Sequence, residues 1–204
     1  MLKEACVENL AEALRAQELG ADRIELCDNL AVGGTTPSGG TLLTCMKYLQ
    51  IPIVVMIRPR GGNFRYSPAE VECMIEDIRF CRKAGVYGIA TGVLTSEDRI
   101  DTVLLRVLME EAGPLQVTFH KAIDESPDPV SEFLTLKGTG VRRVLTSGGK
   151  PTALEGARNL NRMIIALPEL QVVAAGRVTL ENLPELSSLI RTQEFHGRKI
   201  VGSL

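Results

Sequence analysis

No apolar stretch in this chain approaches the roughly 20 residues that a membrane-spanning helix needs, which argues against a transmembrane protein. No apolar leader develops behind Met1, because residue 4 is already a glutamate, so no secretory signal is expected. Basic runs are also missing. The 23 Lys and Arg residues are balanced by 25 Asp and Glu, for a net charge of −2, and no cationic stripe emerges that would suit nucleic acid. There is no CxxC spacing. Five cysteines, an odd number, do not read as a disulfide framework, so reduced thiols and a cytoplasmic location are expected. No Ser-His-acid arrangement stands out, and no linker-like shift of composition or low-complexity tract divides the chain. A single domain over residues 1–204 is the simplest organisation.

What is present is a repeated architecture: an apolar run, a turn and a helical pattern. Eight apolar runs occur, at Leu2–Val7, Arg23–Cys27, Ile53–Arg58, Gly88–Leu94, Gln116–Ile123, Arg143–Ser147, Gln171–Gly176 and Gln193–Gly197. Seven segments between them read as helices. Ser67-Pro68-Ala69-Glu70 is a capping box with proline at the first helical position, and Val71, Met74, Ile75, Ile78 and Cys81 follow at helical spacing before Gly85. Strands alternating with helices favour parallel pairing through right-handed crossovers. Eight such strands predict a compact TIM (β/α)8-type barrel with the final helix short or missing; an open doubly wound sheet is the alternative. Residues 198–204 are too few for a full eighth helix. The gap between the first and last helices would then expose apolar surface for a second copy to cover, so a homo-oligomer is expected.

Period-two spacing puts Glu4 and Cys6 on one face of strand one, and Glu25 and Cys27 on one face of strand two. Inside a barrel, these two carboxylates and two thiols converge near one rim. Two thiolates on adjacent strands could bracket a soft ion such as Cu(I); the alternative is that both cysteines are small apolar fillers. Cys45, Cys73 and Cys81 fall in helical patterns and read as packing residues. Arg58 ends strand three, with Arg60 and a Gly-Gly pair behind it. That arrangement suits a carboxylate or phosphate, or else Arg58 neutralises Glu4 or Glu25. His120 ends strand five, with Lys121 and Asp124 close by, and is a candidate general base or metal ligand, or a structural rim residue. His196, the other histidine, falls at the end of strand eight on the same rim. The loops "LTSGGKP" and "AAGRVTLENL" offer Ser147, Gly148, Gly149, Gly176 and Arg177 for an anion through backbone N–H groups, or serve as ordinary connectors. The loop "VGGTTPS" could fold over the site as a lid.

The stretches "GADRIELCDNLAVGGTTPS", "MIRPRGGNF", "VTFHKAID", "RVLTSGG" and "HGRKI" resemble the CutC copper homeostasis protein family, from residue 4 to the eighth strand. The resemblance implies a TIM barrel, a cytoplasmic location, a role in copper tolerance and copper (Cu+) binding through cysteines, for which Cys6 and Cys27 are the matching positions. Two functions follow. One is a Cu(I)-binding homeostasis protein with Cys6 and Cys27 as ligands and His196 as a further donor. The other is an enzyme acting on a small anionic metabolite, held by Arg58 and the glycine loops, with Glu4, Glu25 or His120 moving a proton.

Overall fold

A computed structural model describes residues 1–204. The strands are β1 (Leu2–Val7), β2 (Arg23–Leu26), β3 (Ile53–Met56), β4 (Gly88–Thr91), β5 (Gln116–Phe119), β6 (Arg143–Thr146), β7 (Gln171–Ala174) and β8 (Glu194–Gly197). The helices are α1 (Leu10–Glu18), α2 (Gly39–Tyr48), α3 (Pro68–Ala84), α4 (Thr102–Ala112), α5 (Pro129–Thr135), α6 (Ala153–Ala166) and α7 (Leu183–Leu189). All neighbouring strands pair in parallel, and β8 returns to β1 to close the barrel. The doubly wound alternative is therefore excluded.

The helices start where side chains satisfy free N–H groups. Asn9 accepts from Glu12 N–H at 2.9 Å at the head of α1. At α3, Ser67 N–H donates to Glu70 Oε2 at 2.7 Å and Glu70 N–H donates to Ser67 Oγ at 3.4 Å, the reciprocal box expected from the sequence. Gly85 ends α3 at φ 79°, a left-handed conformation that glycine adopts without a Cβ penalty.

Alternation along the strands divides two environments. Residues such as Val7, Ile24, Val55, Phe119 and Phe195 face the helices and belong to the main hydrophobic core. The opposite phase of the same strands carries charge. Glu4, Arg23, Glu25 and Arg143 are all buried. Arg23 Nε donates to Glu4 and its Nη2 donates to Glu194, so one guanidinium joins three strands. Arg143 donates to Thr118 Oγ1 and to the Tyr87 hydroxyl, both at 3.2 Å.

Several strands are shorter than the apolar runs that announced them. Arg58, His120, Ser147 and Gly176 lie one or two residues past their strands, in the loops of the C-terminal mouth. Past β8, Ile200 and Val201 are buried in the main core, and Gly202 approaches Leu19 and Leu180. The chain itself thus covers part of the apolar surface expected to lie bare near the first and last helices. No helix is long and apolar enough to cross a membrane.

Candidate functional site

Strand register builds the site. Cys6 is paired with Glu25 across β1 and β2, and Glu4 with His196 across β1 and β8. Cys27, one residue beyond β2, is held by its N–H donating to Val7 O at 2.9 Å. These constraints leave Cys6 Sγ and Cys27 Sγ 3.7 Å apart. Cys27 Sγ also lies 3.5 Å from Glu25 Oε2. His196 stands between two carboxylates, with Nδ1 at 2.8 Å from Glu4 Oε1 and Nε2 at 3.6 Å from Glu25 Oε2. One donor atom each from Cys6, Glu25 and His196 lies within 4.8 Å of the others. Glu4 sits beneath this group, pinned by Arg23.

The electrostatics follow from burial and from these partners. Burial pushes the Glu4 carboxyl up, but the His196 hydrogen bond and the Arg23 and His196 charges outweigh it and hold it at about 2. At Glu25 burial prevails over the His196 charge and, with the Cys6 and Glu4 charges, pushes the carboxyl up to about 8. The hydrogen bond from Cys27, aided by His196, lowers Cys6 to about 5, while the same sulfur contact drives Cys27 well up. Burial opposes charge on His196, yet Glu25, Cys6 and Glu4 together raise it well above its ordinary value. These partners favour the charged forms of Glu4, Cys6 and His196 and disfavour charge on Glu25 and Cys27.

The other expected site residues divide into two groups. His120 lies on the same mouth. Its Nδ1 accepts from Ala122 N–H at 3.2 Å, which places the ring proton on Nε2. Burial and the nearby Arg58 charge hold His120 down at about 3, so it is neutral. With Nδ1 occupied and the ring held neutral, His120 presents Nε2–H as a hydrogen-bond donor. Arg58 neutralises neither Glu4 nor Glu25. Its Nη1 donates to Val32 O and Gly34 O, both at 2.9 Å, and its Nη2 to Gly62 O at 2.6 Å, with Phe64 beneath the guanidinium. It clamps the "VGGTTPS" loop, which is held down rather than free as a lid. Arg60 is engaged by Glu70 and by the carbonyls of Gly61, Asn63 and Arg65.

The loop after β6 departs from expectation for a clear reason. Ser147 N–H and Gly149 N–H donate to the Asp124 carboxylate at 3.0 and 2.8 Å, and Gly148 N–H donates to Thr146 Oγ1 at 2.9 Å. The N–H groups of Ser147 and Gly149 thus already hold a carboxylate, and it belongs to this chain. Lys121 Nζ completes the set, pairing with Asp124 and donating to Ser147 Oγ at 2.7 Å. Gly176 is glycine for packing, since a Cβ there would lie 2.8 Å from Ser147 Cβ. Arg177 is exposed at φ 56°, a left-handed conformation unusual for a residue with a side chain.

Two cavities open on this mouth. An inner chamber of about 180 Å³ is lined by Cys6, Glu25, Arg58, Phe64, His120 and His196 among others. An outer one of about 470 Å³ is bordered by Lys121, Gly176, Arg177, Thr179, Arg198 and Lys199. Cys6, Leu30, Lys121 and His196 line both, so the two form one funnel. Arg23, Asp124 and Lys199 were not among the expected site residues. Arg23 was within reach of the same reasoning, because it shares the phase of Glu25 and Cys27. Lys199 carries no comparable signal.

Comparison with known proteins identifies the family. The CutC family profile matches residues 1–201. The human copper homeostasis protein cutC homolog is 44% identical over 196 residues, covering 96% of this chain and 72% of that protein. The CutC family protein of Photobacterium profundum is 41% identical over 194 residues, covering 95% of this chain and 79% of its own length. A solved structure described as CutC from Streptococcus agalactiae superposes with a TM-score of 0.93 at 35% identity, covering 98% of this chain and 99% of that one. The protein belongs to the CutC family.

Proposed function

We propose that this protein handles Cu(I) in copper homeostasis, taking the ion as cargo at Cys6 and Cys27 with His196 as a third donor. The names of its human relative and of the Streptococcus agalactiae structure support the first part. The 3.7 Å separation of the two sulfurs carries the second. Soft thiolates and an imidazole are the donors Cu(I) prefers. With metal–thiolate bonds of about 2.3 Å, a linear S–Cu–S unit would need sulfurs about 4.6 Å apart. The observed pair is too close for that, and suits a bent arrangement that a third donor completes. His196 supplies a nitrogen on the same side of the barrel, and Glu25 stands next to it. Free thiols at all five cysteines fit a reducing compartment, the cytoplasm.

Ligands must shed their protons to bind metal. The surroundings favour the thiolate at Cys6 and the protonated forms of Cys27 and His196, so binding at the last two displaces protons. Apparent Cu(I) affinity is therefore expected to rise with pH between 6 and 8, by about tenfold per unit for each proton displaced. Competition titrations against a Cu(I) chelator under reducing conditions test the reading. Cys6→Ser and Cys27→Ser should each weaken binding by at least about tenfold, because a hard hydroxyl replaces a soft thiolate. Parent-like affinity in both variants would remove the cysteine pair as the site.

A further inference from the structure

Three of the residues that line the inner chamber each hold one buried polar atom without a hydrogen-bond partner: Glu25 Oε1, Arg58 Nε and His120 Nε2. Their residues are each no more than 4% exposed. Leaving such a group unpaired is costly, so three among the residues of one cavity point to a polar occupant. A Cu(I) ion does not meet that need. Arg58 Nε–H and His120 Nε2–H are donors, which repel a cation, and carboxylate oxygen is a hard ligand. A hydroxyl or carbonyl has the matching chemistry, since its oxygen would accept from an N–H group and a hydroxyl could also donate to Glu25.

The outer cavity asks for a different chemistry. Lys121, Arg177, Arg198 and Lys199 border it, and no aspartate or glutamate does. Lys121 is paired with Asp124, and Arg198 with Glu8 and Glu12. Arg177 and Lys199 remain without an ion pair, on the loops after β7 and β8. The Arg177 backbone sits at φ 56°, where most side-chain-bearing residues are strained. Glycine would be easier there, yet the chain places a cation.

From these two halves we infer that the mouth binds a small organic anion, its hydroxyl or carbonyl end in the inner chamber and its phosphate or carboxylate between Arg177 and Lys199. The inference goes beyond copper handling and does not rest on it, because none of the residues it uses is a proposed copper donor. The outer volume of about 470 Å³ falls in the range of small-molecule sites.

Calorimetric titration of the full chain with inorganic phosphate and with glycerol 3-phosphate tests it. The parent should bind glycerol 3-phosphate at least about tenfold more tightly than inorganic phosphate, since only the former reaches the inner donors. The double variant Arg177→Gly, Lys199→Ala should lose at least about tenfold in affinity for both probes, with thermal stability not lowered and Cu(I) affinity unchanged. His120→Phe should reduce the glycerol 3-phosphate preference and leave inorganic phosphate binding intact. The preference itself, read in the parent, needs no variant to fold. No saturable binding of either probe, or parent-like binding in the double variant, would overturn the inference. Equal affinities for the two probes in the parent would show that the inner chamber holds only water.

Discussion

At the scale of single residues, the barrel interior is a charge cluster in which each member depends on its neighbours. Glu4 accepts from both Arg23 and His196, and removing its charge would leave Arg23 with Glu194 alone and take from His196 its 2.8 Å carboxylate partner. Glu4→Gln is expected to destabilise the fold by about 3–5 kcal/mol, readable as a lowered urea midpoint at neutral pH. The stability Glu4 supplies is present above the ordinary carboxylate range and is lost as pH falls toward about 2. Glu25 acts in the opposite sense. Its folded-state pKa is raised from 4.5 to about 8, so the stability linked to its proton is lost as pH rises through that window. Glu25→Gln should therefore be more stable than the parent at pH 8 and close to it at pH 5. An advantage that failed to grow with pH would contradict the assignment.

Much of this cluster was legible because it rests on alternation. The phase of Glu4, Cys6, Glu25 and Cys27 is a property of extended backbone, and strand ends place Arg58, His120 and His196 on the mouth. What alternation does not encode is which polar group a side chain selects once there. Arg58 chose loop carbonyls over Glu25, and Asp124 reached into a glycine loop more than 20 residues away. Both choices depend on loop paths that no periodicity describes.

At the scale of elements, local signals and tertiary packing agree in one helix and oppose each other in another. The capping box of α3 was readable in four consecutive residues, and Ser67→Ala should cost about 1 kcal/mol in a thermal or urea melt. In α6, propensity alone favours alanine over glycine at position 156 by about 1 kcal/mol. Packing reverses this, since a Cβ there would lie 1.8 Å from Ser147 O, closer than any atom pair tolerates. Gly156→Ala should therefore destabilise by about 1–3 kcal/mol and disturb the loop that presents Ser147 to Lys121. A neutral or stabilising effect would mean that α6 does not press on that loop.

At the scale of the whole molecule, eight apolar runs separated by seven helical segments foretold the closed barrel, because parallel strands with right-handed crossovers leave few other solutions. Closure matters for chemistry as well as for stability. It brings β8 beside β1, and only then does His196 meet Glu4, 192 residues away in sequence. The barrel thereby joins a thiol pair from its first two strands to an imidazole from its last. That junction is the central claim, and X-ray absorption at the copper edge tests it most directly, on protein loaded with one equivalent of Cu(I) under reducing conditions. A first shell of two sulfurs and one nitrogen, with the nitrogen lost in His196→Ala, is the predicted result; a shell without two sulfurs, or one unchanged in Cys6→Ser, would contradict it.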